Sequence, residues 1–153
     1  MSMHRRALLT SRAHDAFSHA HDLADRLGHD ELTSTHIALG VLREGRNPAV
    51  GALFNLGVPL EDFARELEAH LPPSGTARTP IAERSWTFDD EQIIERARLE
   101  ARELGTEFFA CEHLLLALLR DRRSTPAQLL ARHGVRFDDV RAEIKRIYTA
   151  RPE

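Results

Sequence analysis

The chain has 153 residues, 42% of them hydrophobic and 29% charged, with a formal net charge of −3. This is the balance of a globular chain that buries a conventional core, and it excludes a disordered tail. With a pI near 6.3 there is no general positive field to attract phosphate backbones, which argues against nucleic acid as a partner.

In chain order, the segment Met1–Leu9 carries Arg5 and Arg6 but no apolar core of signal-peptide length. No later apolar run is long enough to span a bilayer. Ala13, Ala16, Phe17, Ala20, Ala24 and Leu27 then fall at steps of three and four, predicting a helix that stops at Gly28 as a C-cap. Ser34 is placed to cap a second helix carrying Ile37, Leu39, Val41 and Leu42, with Gly45 just past its end. Pro48 suits the first turn of a third helix, running to about Leu56 before Gly57. Leu60, Phe63, Ala64, Leu67 and Leu71 mark a fourth, ended by Pro72-Pro73.

Prolines and small polar residues from Pro72 to Pro80 cannot extend a helix and read as an exposed connection, irregular over residues 74–84. Four further stripes follow: Ile94, Ala97, Ala101 and Leu104; Leu114 to Leu119; Ala127, Leu129 and Leu130 behind Pro126; and Phe137, Val140, Ile144 and Ile147. No period-two run of β-branched residues occurs, so the expected architecture is all-α.

The second set of stripes copies the first. Ala24-Asp25-Arg26-Leu27-Gly28, His36, Leu39 and Leu42-Arg43 recur as Ala101-Arg102-Glu103-Leu104-Gly105, His113, Leu116 and Leu119-Arg120, at a constant offset of 113 − 36 = 77. Leu53 and Leu130, Gly57-Val58 and Gly134-Val135, Asp62 and Asp139, and Glu66 and Glu143 keep that offset. The chain therefore divides into repeats at 9–71 and 86–148, joined by a linker at 72–85, each repeat having four helices and the two being pseudo-symmetric.

These residues carry a family resemblance. Leu9-Thr10-Ser11-Arg12-Ala13, Ala24-x-x-Leu27-Gly28-His29 and Thr35-His36-Ile37-Ala38-Leu39-Gly40-Val41-Leu42-Arg43-Glu44-Gly45 resemble the first repeat of the Clp N-terminal domain family. Glu112-His113-Leu114-Leu115-Leu116-Ala117-Leu118-Leu119-Arg120 resembles the same signature in the second repeat. The resemblance covers about nine-tenths of the chain and implies a double Clp repeat like that at the N-terminus of ClpC- and ClpA-type unfoldases, where it receives substrates and adaptors. Those unfoldases hydrolyse ATP in other modules. This sequence has no Gly-x-x-x-x-Gly-Lys-Ser/Thr phosphate loop, so neither ATP binding nor ATP hydrolysis is expected.

The resemblance also implies candidate sites. ClpC-type domains recognise phosphoarginine at one site per repeat, built around the Thr that opens the first helix and the Glu that precedes the signature His. A carboxylate pairs with the guanidinium, and hydroxyls with helix-start amides take the phosphate. Both positions match in the second repeat, as Thr87 and Glu112. In the first, Thr10 matches but Thr35 stands at the acidic position and cannot neutralise a cation. The alternative is N-capping for Thr10 and Thr87, and a favourable first-turn charge for Glu112. Leu9 and Trp86 stand where ClpC-type domains offer an apolar groove to cyclic-peptide antibiotics; the alternative for Trp86 is a staple packed on its own helix.

Other reactive residues read as structural. His36 and His113 sit at matched points of apolar helices and are expected to be packed and hydrogen bonded. His14, His19, His21 and His29 are read as surface residues, since His19 and His21 point to different helix faces and make no zinc site. Cys111, the single cysteine, cannot form an internal disulfide; it is read as a small cap replacement, with a nucleophile as the alternative.

The resulting expectation is a cytoplasmic, stand-alone module of the Clp protease system, without enzymatic activity or cofactor. Its partners are protein substrates or adaptors and a Clp ATPase, with no nucleic acid and no membrane. The alternatives are a decoy for cyclic peptides and, from another class, a small hydrolase using Cys111. The start at Met1 and the short tail beyond Tyr148 are read as those of a complete chain.

Overall fold

The computed structural model describes residues 9–75 and 88–150, and for 88–90 the backbone alone. Among these residues there are eight helices and no strand. They are α1 (Ser11–Arg26), α2 (Ser34–Glu44), α3 (Pro48–Asn55), α4 (Leu60–Ala69), α5 (Phe88–Glu103), α6 (Cys111–Arg120), α7 (Thr125–Arg132) and α8 (Phe137–Ala150). The expected all-α double repeat is what the chain adopts. No helix of the described residues is long and apolar enough to cross a membrane.

Local signals set the helix ends. Thr10 accepts the Ala13 amide at 3.2 Å as the cap of α1, Asn47 accepts that of Val50 at 3.1 Å ahead of Pro48, and Ser124 accepts that of Ala127 at 3.3 Å. One assignment moves by a residue. The cap of α2 is Thr33, and Ser34 is its first helical residue. The reason is reciprocal: the Thr33 hydroxyl accepts the His36 amide at 3.4 Å while His36 Nδ1 accepts the Thr33 amide at 3.0 Å. That return bond is available only in this register.

The alanines of α1 give it a flat face. Ala13, Ala16, Ala20 and Ala24 are fully buried, and α2 lies against them so closely that a Cβ on Gly40 would overlap the Ala16 carbonyl oxygen and reach Ala20 Cβ at 3.2 Å. The second repeat packs more loosely, with Ile93 and Ala117 at the positions of Ala16 and Gly40.

The halves interlock. α3 packs on α8 and α7 on α4, while α3 also meets α6 and α7 meets α2. These reciprocal contacts are those of a pseudo-twofold axis passing between α2 and α6, which touch each other. Buried residues of both repeats, from Ala13 to Ile144, form one core. The linker begins by folding back: the Gly75 amide donates to the Leu27 carbonyl at 2.9 Å. Gly28, with φ at +72°, sits so close to Gly75 that a side chain there would overlap its carbonyl. The remainder of the expected irregular connection lies outside the described residues.

Candidate functional site

The first turn of α6 gathers polar groups from both repeats. Leu9 pairs with Phe109 in an isolated parallel bridge, the Thr10 amide donates to the Phe109 carbonyl at 3.0 Å, and the Cys111 thiol donates to the Arg12 carbonyl at 3.4 Å. The start of α1 in repeat 1 is thereby stitched to the start of α6 in repeat 2, where Glu112 and His113 stand.

Glu112 is only 5% exposed. Its Oε2 accepts a hydrogen bond from the Tyr148 hydroxyl at 2.5 Å, whose oxygen lies 3.1 Å from His113 Nε2. His113 Nδ1 accepts the Ala110 amide at 2.8 Å, which leaves the imidazole proton on Nε2, facing the Tyr148 oxygen. One directed chain results: Ala110 amide to His113, His113 to Tyr148, Tyr148 to the Glu112 carboxylate. Burial pushes the His113 pKa below its usual 6.5, with the Glu112 charge opposing, so the imidazole is neutral near pH 7. The second carboxylate oxygen, Oε1, is buried and has no hydrogen-bond partner among the described residues. Ordinarily such a lone pair is satisfied, because leaving it unpaired costs about 1–3 kcal/mol or more for a charged group.

Repeat 1 uses the same device toward another end. His36 Nδ1 accepts the Thr33 amide at 3.0 Å, and His36 Nε2 meets His29 Nδ1 at 3.0 Å. His29 Nε2 lies 3.1 Å from the Pro72 carbonyl oxygen and 3.2 Å from that of Pro73. This chain of donors ends on the linker backbone, and Thr35, also buried, carries no charge. Both signature histidines are packed and bonded, as expected.

The structure redraws the expected pairing of site residues. Arg12, at the start of α1, bonds Glu44 Oε2 at 3.3 Å and the Arg46 carbonyl at 2.6 Å, at the far end of α2 from Thr35. An α2 of 11 residues spans about 15 Å, so Thr10 and Thr35 do not share a pocket; antiparallel packing of α1 on α2 holds them apart. Thr10 and Leu9 instead approach the helix that carries Glu112. Leu9 is half-buried and packs on the core. Thr87 and Trp86 lie outside the described residues.

Two other assignments change. His29 is buried at 7% exposure and bonded to His36, where a surface residue was expected, because the folded-back linker covers it. His14 does lie exposed. Cys111 is the first helical residue, with Ala110 as the cap, so it replaces no capping side chain. Its thiol is completely buried, and burial together with the charges of Glu44 and Glu112 pushes its pKa up to about 12. A thiol held protonated is no nucleophile. Among the described residues no three His, Cys, Asp or Glu side chains gather to hold a metal ion.

Sequence reasoning missed Tyr148 and the partnership of His29. Tyr148 continues the stripe of Val140 and Ile144 by one more step of four, and its offset partner is Leu71. A polar-tipped ring where the other repeat has leucine was the available signal.

Comparison with known proteins agrees with this architecture. The sequence profile of the Clp repeat (R) N-terminal domain family matches residues 8–133 and 86–153. The chaperone protein ClpB of Oceanobacillus iheyensis is 31% identical over 135 residues, 88% of this chain and 16% of that protein. The negative regulator of genetic competence ClpC/MecB of Bacillus subtilis is 33% identical over 135 residues, again 88% and 16%. The chain thus spans about one-sixth of the length of these curated relatives. Two solved structures share its fold, both at 18% identity. The N-terminal domain of the chaperone ClpD from Arabidopsis thaliana has a TM-score of 0.71 over 94% of this chain and 96% of that one. The Hsp104 N-terminal domain from Candida albicans has a TM-score of 0.76 over 94% and 93%.

Proposed function

The chain belongs to the Clp repeat (R) N-terminal domain family, and from that premise we propose that it is a non-enzymatic module that binds protein substrates or adaptors for a Clp ATPase. We propose further that it reads phosphoarginine at a single site, built on Glu112. The observation that carries this is the buried Glu112 carboxylate, with one oxygen held by Tyr148 and the other without a partner among the described residues. A desolvated carboxylate in that state favours a cation that brings its own donors, and a guanidinium presents five N–H groups in a planar fork.

Thr10, stitched to the start of α6, is the hydroxyl assigned to the phosphate, while Thr87, the match within the second repeat, lies outside the described residues. Because Oε1 is not solvent accessible, a guanidinium enters when the end of α8 around Tyr148 opens. Thr35 gives repeat 1 no charge to offer, so binding is asymmetric. Loss of a charged hydrogen-bond partner costs about 1.5–3 kcal/mol, roughly ten- to hundredfold in affinity.

Calorimetric titration with a phosphoarginine peptide tests this. One site is expected, lost in Glu112→Ala, with a second created by Thr35→Glu. Two equal sites in the native protein, unchanged affinity in Glu112→Ala, or no binding would refute the phosphoarginine assignment.

A further inference from the structure

The end of α6, α7 and the start of α8 enclose a surface pocket of about 500 Å³, far from the start of α6. Its apolar lining comes from Leu119, Ala127, Ala131, Val135 and Phe137. Two exposed guanidiniums, Arg122 and Arg136, stand on the pocket as well. A third, Arg120, is already committed: its Nε donates to Glu100 Oε2 at 2.5 Å, Glu103 lies 3.7 Å away, and its guanidinium covers the Phe137 ring at 4.4 Å. The guanidiniums of Arg122 and Arg136 have no partner among the described residues, although the Arg136 backbone amide donates to Asp139 Oδ2 at 3.0 Å, and the pocket's own carboxylate, Asp138, faces Arg120 electrostatically. On a chain whose net charge is −3, this is a local cationic rim around an apolar floor.

Repeat 1 shows that the scaffold does not demand it. Seventy-seven residues earlier, Arg122, Ala131 and Arg136 become Gly45, Phe54 and Pro59. Neither cation is kept at its own position there, although the neighbouring Arg46 lines the matching hollow, and the small alanine is replaced by a phenylalanine that is 69% exposed.

We infer that this pocket is a docking site for an acidic segment of a partner protein, one that inserts a single large apolar side chain between Arg122 and Arg136 and sets carboxylates against them. The volume lies in the range that takes a ligand-sized group, the floor gains from burying an apolar side chain, and a guanidinium binds a carboxylate through two parallel N–H···O bonds. Ala131 is the specificity-determining position, because its small side chain leaves the floor open, whereas the matching surface of repeat 1, with Phe54 on it, is flatter. The inference rests on the protein-binding reading above and is independent of phosphoarginine.

The probe is a short fluorescein-labelled peptide with one phenylalanine flanked on both sides by glutamates, followed by anisotropy. Saturable binding is expected, weakened about tenfold or more both by Arg122→Ser with Arg136→Ser and by Ala131→Phe, which copies repeat 1. Replacing the peptide's phenylalanine by glycine is expected to weaken binding to the same degree, and Glu112→Ala to leave it unchanged. Each variant's helical circular dichroism and melting temperature are read beside the titration. Absence of saturable binding, full affinity in folded Ala131→Phe, equal binding of the glycine peptide, or loss in Glu112→Ala would each overturn the assignment. Glu112→Ala read with the phosphoarginine peptide fails or succeeds separately, so the two sites are judged apart.

Discussion

Tyr148→Phe is the sharpest perturbation of the buried chain that ends on Glu112. The substitution keeps the ring and removes one oxygen, which donates to Glu112 Oε2 at 2.5 Å and lies 3.1 Å from His113 Nε2. With Oε1 already unpartnered, the carboxylate loses its hydroxyl donor, and the His113 N–H loses its acceptor. A hydrogen bond to a charged group is worth about 1.5–3 kcal/mol, and a neutral donor left buried costs about 1 more, so the expected loss is about 2.5–4 kcal/mol. For a chain of this size that corresponds to a fall of roughly 5–16 °C in melting temperature. Urea unfolding followed by circular dichroism measures it, within a double-mutant cycle with Glu112→Gln. A coupling of about 1 kcal/mol or more between the two positions is expected. Additive effects, or a Tyr148→Phe loss under about 0.5 kcal/mol, would refute the argument that Tyr148 holds Glu112.

Other consequences of the geometry are equally open to measurement. His113 has a lowered pKa in the fold, so the unfolded chain takes up its proton first. Stability is full above about pH 6.5 and falls as the pH drops below it, by at most about 1.4 kcal/mol per pH unit from this group. Urea midpoints between pH 5 and 7 should show this slope, and His113→Gln should flatten it. Gly40→Ala forces α1 and α2 apart at Ala16 and is expected to cost about 1–3 kcal/mol, despite the better helix propensity of alanine. Ala117→Gly, at the matched position of α6, is expected to cost only about 1 kcal/mol, so equal costs would contradict the difference in packing. The Cys111 thiol, held near pKa 12, should resist a disulfide reagent at pH 8 in the native protein and react at once in urea; rapid native labelling would contradict its burial.

Much of the fold was legible because helices announce themselves locally. The stripes at steps of three and four, Pro48 and Pro126 in first turns, and glycines past helix ends place the elements, and the constant offset of 77 duplicates the plan. Where the reading slipped, the deciding interaction was reciprocal or distant. Thr33 and Ser34 are both good caps, and only the return bond from His36 chooses between them. Thr10 and Thr35 belong to one repeat, yet the antiparallel packing of α1 and α2 separates them and brings Thr10 to α6 across the pseudo-twofold axis. His29 looks like any loop histidine until Pro72 and Pro73 close over it. Glu112 stood out beside the signature histidine, and Tyr148 was marked only as a polar-tipped ring where the other repeat has Leu71; that the one closes over the other depends on where the end of α8 lands, a tertiary fact.

In the proposed function, Glu112 receives the guanidinium of a phosphoarginine-marked protein. The most direct test is an NMR titration of the intact chain with a phosphoarginine peptide, following the Glu112 side-chain carboxyl, the His113 ring and the Tyr148 ring. These three groups are expected to shift together and saturate at one equivalent, while signals of Thr35 and His36 stay in place. Saturating shifts centred on Thr35 and His36, or binding that leaves the Glu112 carboxyl unmoved, would contradict it.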